Sequence, residues 1–135
     1  MRILAVDHGT ARAGCAICDP SGTVVRPLGV VEPPDPAAVA RLASEEGAEL
    51  VVVGLPVSLG GDHGPQAKIA QEFRDALAEV AEVPVETYDE RLTTRMAADS
   101  ARGGAAAPPD ALAAAHLLES YLAARAAPEP EEPRA

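Results

Sequence analysis

The chain has 135 residues, 21 Asp+Glu against 11 Lys+Arg, a net charge of −10 and 47% hydrophobic residues. That length suits one domain, and the apolar fraction excludes wholesale disorder. The acidity excludes a strong nonspecific nucleic-acid binder, which needs a basic footprint, and no apolar run approaches the ~18–20 residues that cross a bilayer.

In chain order, residues 2–6 read as a central strand ending at Asp7. His8-Gly9-Thr10 is turn chemistry, and residues 13–18 form a second strand. Asp19-Pro20-Ser21-Gly22 is a turn signal, followed by a third strand over residues 23–31. Pro33-Pro34 breaks the chain. Asp35 then caps a helix over residues 36–46, which ends before Gly47. The β-branched run 50–53 is a fourth strand, and having been reached through a helix it should lie parallel to its neighbour. Residues 55–64 form a loop. Residues 65–80 are a helix with Ile69, Phe73 and Leu77 at four-residue spacing, and residues 83–88 are a fifth strand. Helices follow over residues 93–101 and 111–126, separated by the loop 102–109. Twenty-nine alanines raise helix propensity almost everywhere, so the breakers carry more of this reading than composition does.

The expected architecture is α/β: a five-stranded mixed sheet, an antiparallel meander plus two parallel strands, with helices on both faces. That is the ribonuclease H-like arrangement, and half of an actin-like ATPase has the same order. One domain spans residues 1–126, and the acidic, Pro-rich residues 127–135 read as a disordered tail. Removing the tail's three glutamates and Arg134 still leaves the body at −8.

Asp7 closes the first strand, Asp89 and Glu90 close the fifth, and Asp110 opens the last helix. With parallel neighbours, the first two groups share the carboxyl edge of the sheet, where ligand sites of open α/β sheets lie. Carboxylates without His or Cys partners suit a hard divalent cation, Mg²⁺ or Mn²⁺, which can activate water for phosphodiester hydrolysis. Each acid also has a plainer reading. Asp7 can be a turn-forming residue before Gly9, Asp110 an N-cap, and Glu90-Arg91 a surface pair. If the fifth strand runs unbroken through Glu90, only one of Asp89 and Glu90 shares a face with the metal site.

The segment Asp7-His8-Gly9-Thr10-Ala11-Arg12-Ala13-Gly14 resembles the D-x-G-x-x-R-x-G opening of the YqgF family, also called RuvX. Val53-Gly54-Leu55-Pro56 with Gly60-Gly61 resembles its V-G-L-P…G loop, and Asp89-Glu90-Arg91-Leu92-Thr93-Thr94 its D-E-R-L-T-T segment. Asp110 with Ala113-Ala114, Leu117-Leu118 and Tyr121-Leu122 is similar to its closing D-x-x-A-A-x-x-L-L-x-x-Y-L helix. These are Holliday-junction-resolvase-like proteins to which nuclease action on precursor 16S ribosomal RNA is ascribed. The resemblance implies a metal-dependent nuclease that matures the 5′ end of that RNA, with the small ribosomal subunit as a partner and a monomer or homodimer as the expected state, while two cysteines without a secretory segment point to the reducing cytoplasm and the short apolar runs to no membrane. It implies Asp7, Glu90 and Asp110 as metal-holding catalytic carboxylates, with Asp89 as neighbour or substitute. Arg12, Arg91 and Thr93 would contact substrate, the arginines through phosphate or by pairing with one of the acids. From the residues alone, Thr93 reads more simply as a helix cap.

One departure is the loop 102–109, which carries one positive charge where the family usually carries several, so fewer phosphate contacts are expected. The rival readings are a DNA-junction resolvase, a noncatalytic ribosome- or transcription-associated binding module on the same fold, and an actin-like ATPase. The last needs two such domains. Cys15 and Cys18 have metal-ligand spacing, but a separation of three within a strand puts them on opposite faces. His8 and His63 read as solvated loop residues, and His116 as a helical residue.

Overall fold

The structure is a computed structural model, and it describes residues 1–55, 65–89 and 109–126. Glu90, Arg91 and Thr93, the expected helix 93–101, most of the loop 55–64 and the tail 127–135 lie outside the described residues.

The described elements run β1 (Ile3–His8), β2 (Ala13–Cys18), β3 (Val25–Val31), α1 (Pro36–Glu45), β4 (Leu50–Leu55), α2 (Pro65–Val80), β5 (Val85–Asp89) and α3 (Pro109–Ala126). Spatial order in the sheet is β3-β2-β1-β4-β5. The first three strands are antiparallel, and β4 and β5 join parallel to β1. The expected mixed sheet, a meander plus two parallel strands, is present.

Alternation along the strands sorts side chains into two cores. On one face Leu4, Val6, Cys15, Ile17, Val51, Val53 and Val85 pack beneath Val39 and Ala43 of α1 and Phe73 and Leu77 of α2. On the other, Ile3, Ala5, Ala16, Cys18, Leu50 and Val52 pack beneath Ala114, Ala115, Leu117 and Leu118 of α3. Helices therefore cover both faces, and every residue of β1 up to Val6 is committed to one of them. Cys15 and Cys18 fall on opposite faces, as their spacing requires, and burial pushes the Cys15 thiol up to about 12. They form no chelate. On α3, His116 is buried and its Nδ1 has no hydrogen-bond partner among the described residues.

Element ends differ from the sequence expectation where side chains or tertiary neighbours decide them. β3 starts at Val25 instead of residue 23, because the Asp19 carboxylate accepts from the backbone N–H groups of Thr23 (2.8 Å) and Val24 (2.9 Å) and keeps both in the turn. β1 runs two residues past Val6, because Asp7 and His8 pair with Gly14 and Ala13 across the hairpin. α1 is capped as expected, with Asp35 accepting from the Ala37 N–H.

The β2–β3 turn gives a pH prediction. The Ser21 hydroxyl first, and then the Val24 and Thr23 N–H groups, hold the Asp19 carboxyl down to about 2. A carboxyl lowered on folding stabilises the native state above its unfolded pKa of about 4, and that contribution disappears as pH falls towards about 2. Asp19→Ala should lower the urea midpoint relative to the parent near pH ~5. The gap should close on titration to about pH 2; a gap independent of pH would reject the carboxylate's role.

Candidate metal-dependent nuclease site

Two chain crossings assemble the site. The first is the β1–β2 hairpin. Gly9 N–H donates to the Arg12 carbonyl at 2.8 Å, and a Cβ on Gly9 would lie only 2.8 Å from that oxygen, so the turn closes this tightly only without a side chain. The hairpin pairs Asp7 directly with Gly14.

The second crossing is α3 over that hairpin. A Cβ on Gly14 would sit 1.9 Å from the Asp110 carbonyl oxygen, 2.3 Å from its carbon and 3.0 Å from Ala111 N. Gly14 thus lets the first turn of α3 rest on the hairpin backbone at the level of Asp7. Because Ile3 and Ala5 face α3, alternation puts Asp7 on the same side. Asp110 lies inside the first turn of the helix, after Pro109, where an acid also complements the helix dipole. Its Oδ2 accepts from Arg12 Nε at 2.6 Å, and Arg12 Nη1 lies 3.9 Å from Glu32. Arg12 and Asp110 are therefore joined at the end of the central strand β1 that carries Asp7, on the α3 side of the sheet.

Neighbouring strands complete the edge. β4 pairs Val53 with Val6, so Gly54 follows beside Asp7 on the α3 face, and Gly54 pairs in turn with Tyr88. The Tyr88 hydroxyl lies 3.0 Å from Ser120 Oγ, and its ring meets Tyr121 edge-on at 5.5 Å. Tyr121 donates to Glu86 at 3.1 Å, so Glu86 and Tyr88 both belong to the α3 side. Burial, with Glu86 adding to it, raises the Tyr121 hydroxyl's pKa. Asp89, level with Leu55, follows Val85 and Thr87 on the opposite, α1–α2 side.

His8 is not a solvated loop residue. As the last residue of β1 it stacks on Phe73 with ring centroids 4.5 Å apart, and burial lowers its pKa while the Asp7 charge opposes the shift. Sequence reasoning missed this contact and the function of Gly14. The D-x-G-x-x-R-x-G spacing was the available signal for Gly14.

Among the described residues, no three His, Cys, Asp or Glu side chains form a metal-holding group. Asp7 and Asp110, which the fold brings to the same side of the sheet on either side of Gly14, are carboxylates, and Mg²⁺ is commonly held by one or two carboxylates with water and substrate phosphate completing the shell. The Gly14 cradle, which any Cβ would fill, is what admits Asp110 to this place. The donor set therefore fits a hard divalent cation.

The family model described as "RuvX: Holliday junction resolvase" matches residues 1–124. A Chloroflexus aggregans protein named "Putative pre-16S rRNA nuclease" is 43% identical, covering 93% of this chain and 96% of its own. A protein of the same name from Desulforudis audaxviator is 38% identical, again covering 93% and 96%. Among solved structures, Thermus thermophilus RuvC in complex with a Holliday junction substrate superposes with a TM-score of 0.63 at 21% identity, covering 94% of this chain and 98% of that one. The fowlpox virus Holliday junction resolvase gives 0.56 at 15% identity over 92% and 99%, respectively. These two likenesses show the shared fold. With a family model matching nearly the whole chain and relatives of about 40% identity over most of it, the chain belongs to the RuvX family.

Proposed function

We propose that the protein is a metal-dependent nuclease that hydrolyses phosphodiester bonds of precursor 16S ribosomal RNA during 5′-end maturation. One structural observation carries the site: Gly14 seats the Asp110 turn against the strand row of Asp7. The names borne by the relatives supply the RNA substrate.

Asp7 and Asp110 hold the cation, Mg²⁺ or Mn²⁺, and Glu90 is the third carboxylate. Strand parity favours Glu90 over Asp89. Tyr88 lies on the α3 side and Asp89 on the other, so if the strand alternation continues, the next position would share the face of Asp7. When bound, the cation supplies an activated water and charge neutralisation at the leaving oxygen. Asp7 and Asp110 set where that charge sits, on a strand and a helix that are both packed into the core. Arg12 and Arg91 hold RNA phosphate through their terminal nitrogens, and Thr93 contacts the substrate. An acidic body at −8 repels bare RNA, so the cation and these arginines carry the attraction, with presentation on the small ribosomal subunit as further support.

Purified protein should cut a short precursor-16S RNA with Mn²⁺ or Mg²⁺ and lose the activity in EDTA. A four-way DNA junction assayed alongside separates the two nuclease readings. Cutting of the junction alone would replace the RNA reading by a resolvase, and cutting of neither would favour a binding module.

A further inference from the structure

The ion pair between Arg12 and Asp110 joins residues 98 positions apart, on the hairpin turn and on the first turn of α3. Three features distinguish it from a casual surface contact. The donor is the inner nitrogen Nε at 2.6 Å, with Nη1 reaching towards Glu32 at 3.9 Å. The bond engages a single oxygen, Oδ2, and leaves the carboxylate's second oxygen outside it. Both anchor points are fixed by backbone: the Gly9–Arg12 hydrogen bond closes the hairpin, and Gly14 seats α3 on that same hairpin.

We propose that Arg12 is a positioning residue for Asp110, holding one carboxylate oxygen so that the other is aimed at the divalent cation before RNA arrives. This rests on the reading of Asp7 and Asp110 as cation ligands, and gives Arg12 a function on the protein side of the site besides any phosphate contact. Two physical effects of a guanidinium beside a metal ligand have opposite signs. Its charge repels a cation, so removing Arg12 for its charge alone would tighten metal binding. Its hydrogen bond orders the ligand, and losing such an outer partner typically weakens metal binding by about 10–100-fold. Both side chains are about half exposed, which screens the charge and leaves ordering as the larger effect.

The test is calorimetric titration of the full chain with Mn²⁺ alone, without RNA. Arg12→Ala should bind Mn²⁺ about tenfold more weakly than the parent, with an unchanged melting temperature, because an exposed pair contributes little stability. Arg12→Lys keeps the charge without the planar Nε donor and should recover only part of the affinity. Glu32→Gln, which removes the other acid near Arg12, should bind Mn²⁺ like the parent. Raising Mn²⁺ should restore part of the cleavage rate of Arg12→Ala. Unchanged or tighter Mn²⁺ binding by Arg12→Ala would overturn the proposal and leave Arg12 a phosphate ligand. A parent protein that binds no Mn²⁺ would overturn the metal-dependent reading, and this proposal with it.

Discussion

Asp7→Asn should reduce metal-dependent RNA cleavage by about 100-fold, since losing the proposed direct cation ligand costs at least as much as losing an outer partner. Asn keeps the shape and one acceptor oxygen but removes the charge that attracts the cation. The backbone pairing of Asp7 with Gly14 does not depend on that charge. The melting temperature should therefore stay level or rise, because one acid fewer in a chain of net charge −10 relieves repulsion. Loss of activity with retained stability is the signature of a residue kept for chemistry. Cleavage by Asp7→Asn at the parent rate would show that the site lies elsewhere or that the activity is a contaminant. Parity extends the prediction to the fifth strand: Glu90→Gln should lose far more activity than Asp89→Asn, because Asp89 is on the α1–α2 side. The reverse ranking would mean that the strand breaks its alternation immediately after Asp89.

Much of this framework is legible in the sequence, because local chemistry marks it. β2 and α2 have the expected ends, each bounded by turn or breaker residues, and the strand order follows from helix-linked crossovers. What escaped is tertiary. Thr23 and Val24 look like the start of a strand, but the carboxylate of Asp19 captures their N–H groups. His8 follows an acid and precedes a glycine, which reads as a turn, yet cross-strand pairing with Ala13 keeps it in β1, where it meets Phe73. Pro109 marks the first turn of α3 in the manner usual for proline, so the earlier start of that helix was readable from the chain. The candidate acids were legible as types and by strand position. That Arg12 would grip Asp110, 98 residues away, is one of two roles its chemistry allows, and only the fold shows that contact.

Gly14→Ala should be the most damaging single-methyl change in the hairpin. The new Cβ would lie 1.9 Å from the Asp110 carbonyl oxygen and 2.3 Å from its carbon, and both are backbone atoms at the start of a helix. A side chain in the way could turn aside; a helix must move as a body. α3 is held farther along by Ala114, Leu117 and Leu118 in the core and by the Tyr88–Ser120 contact, so lifting its first turn strains packing along the helix. Overpacking a core typically costs about 1–3 kcal/mol, and a backbone clash belongs at the upper end, which for a chain of this size lowers the melting temperature by roughly 10 °C. Function should suffer separately. Well below its melting point, Gly14→Ala should bind Mn²⁺ weakly and cleave poorly, because Asp110 no longer rests at the level of Asp7. Arg12→Ala, by contrast, should melt like the parent while losing metal affinity, so the two variants separate seating of the helix from aiming of the carboxylate. A Gly14→Ala protein with parental stability and Mn²⁺ affinity would mean that α3 does not rest on the hairpin, and the site built on that contact would have to be abandoned.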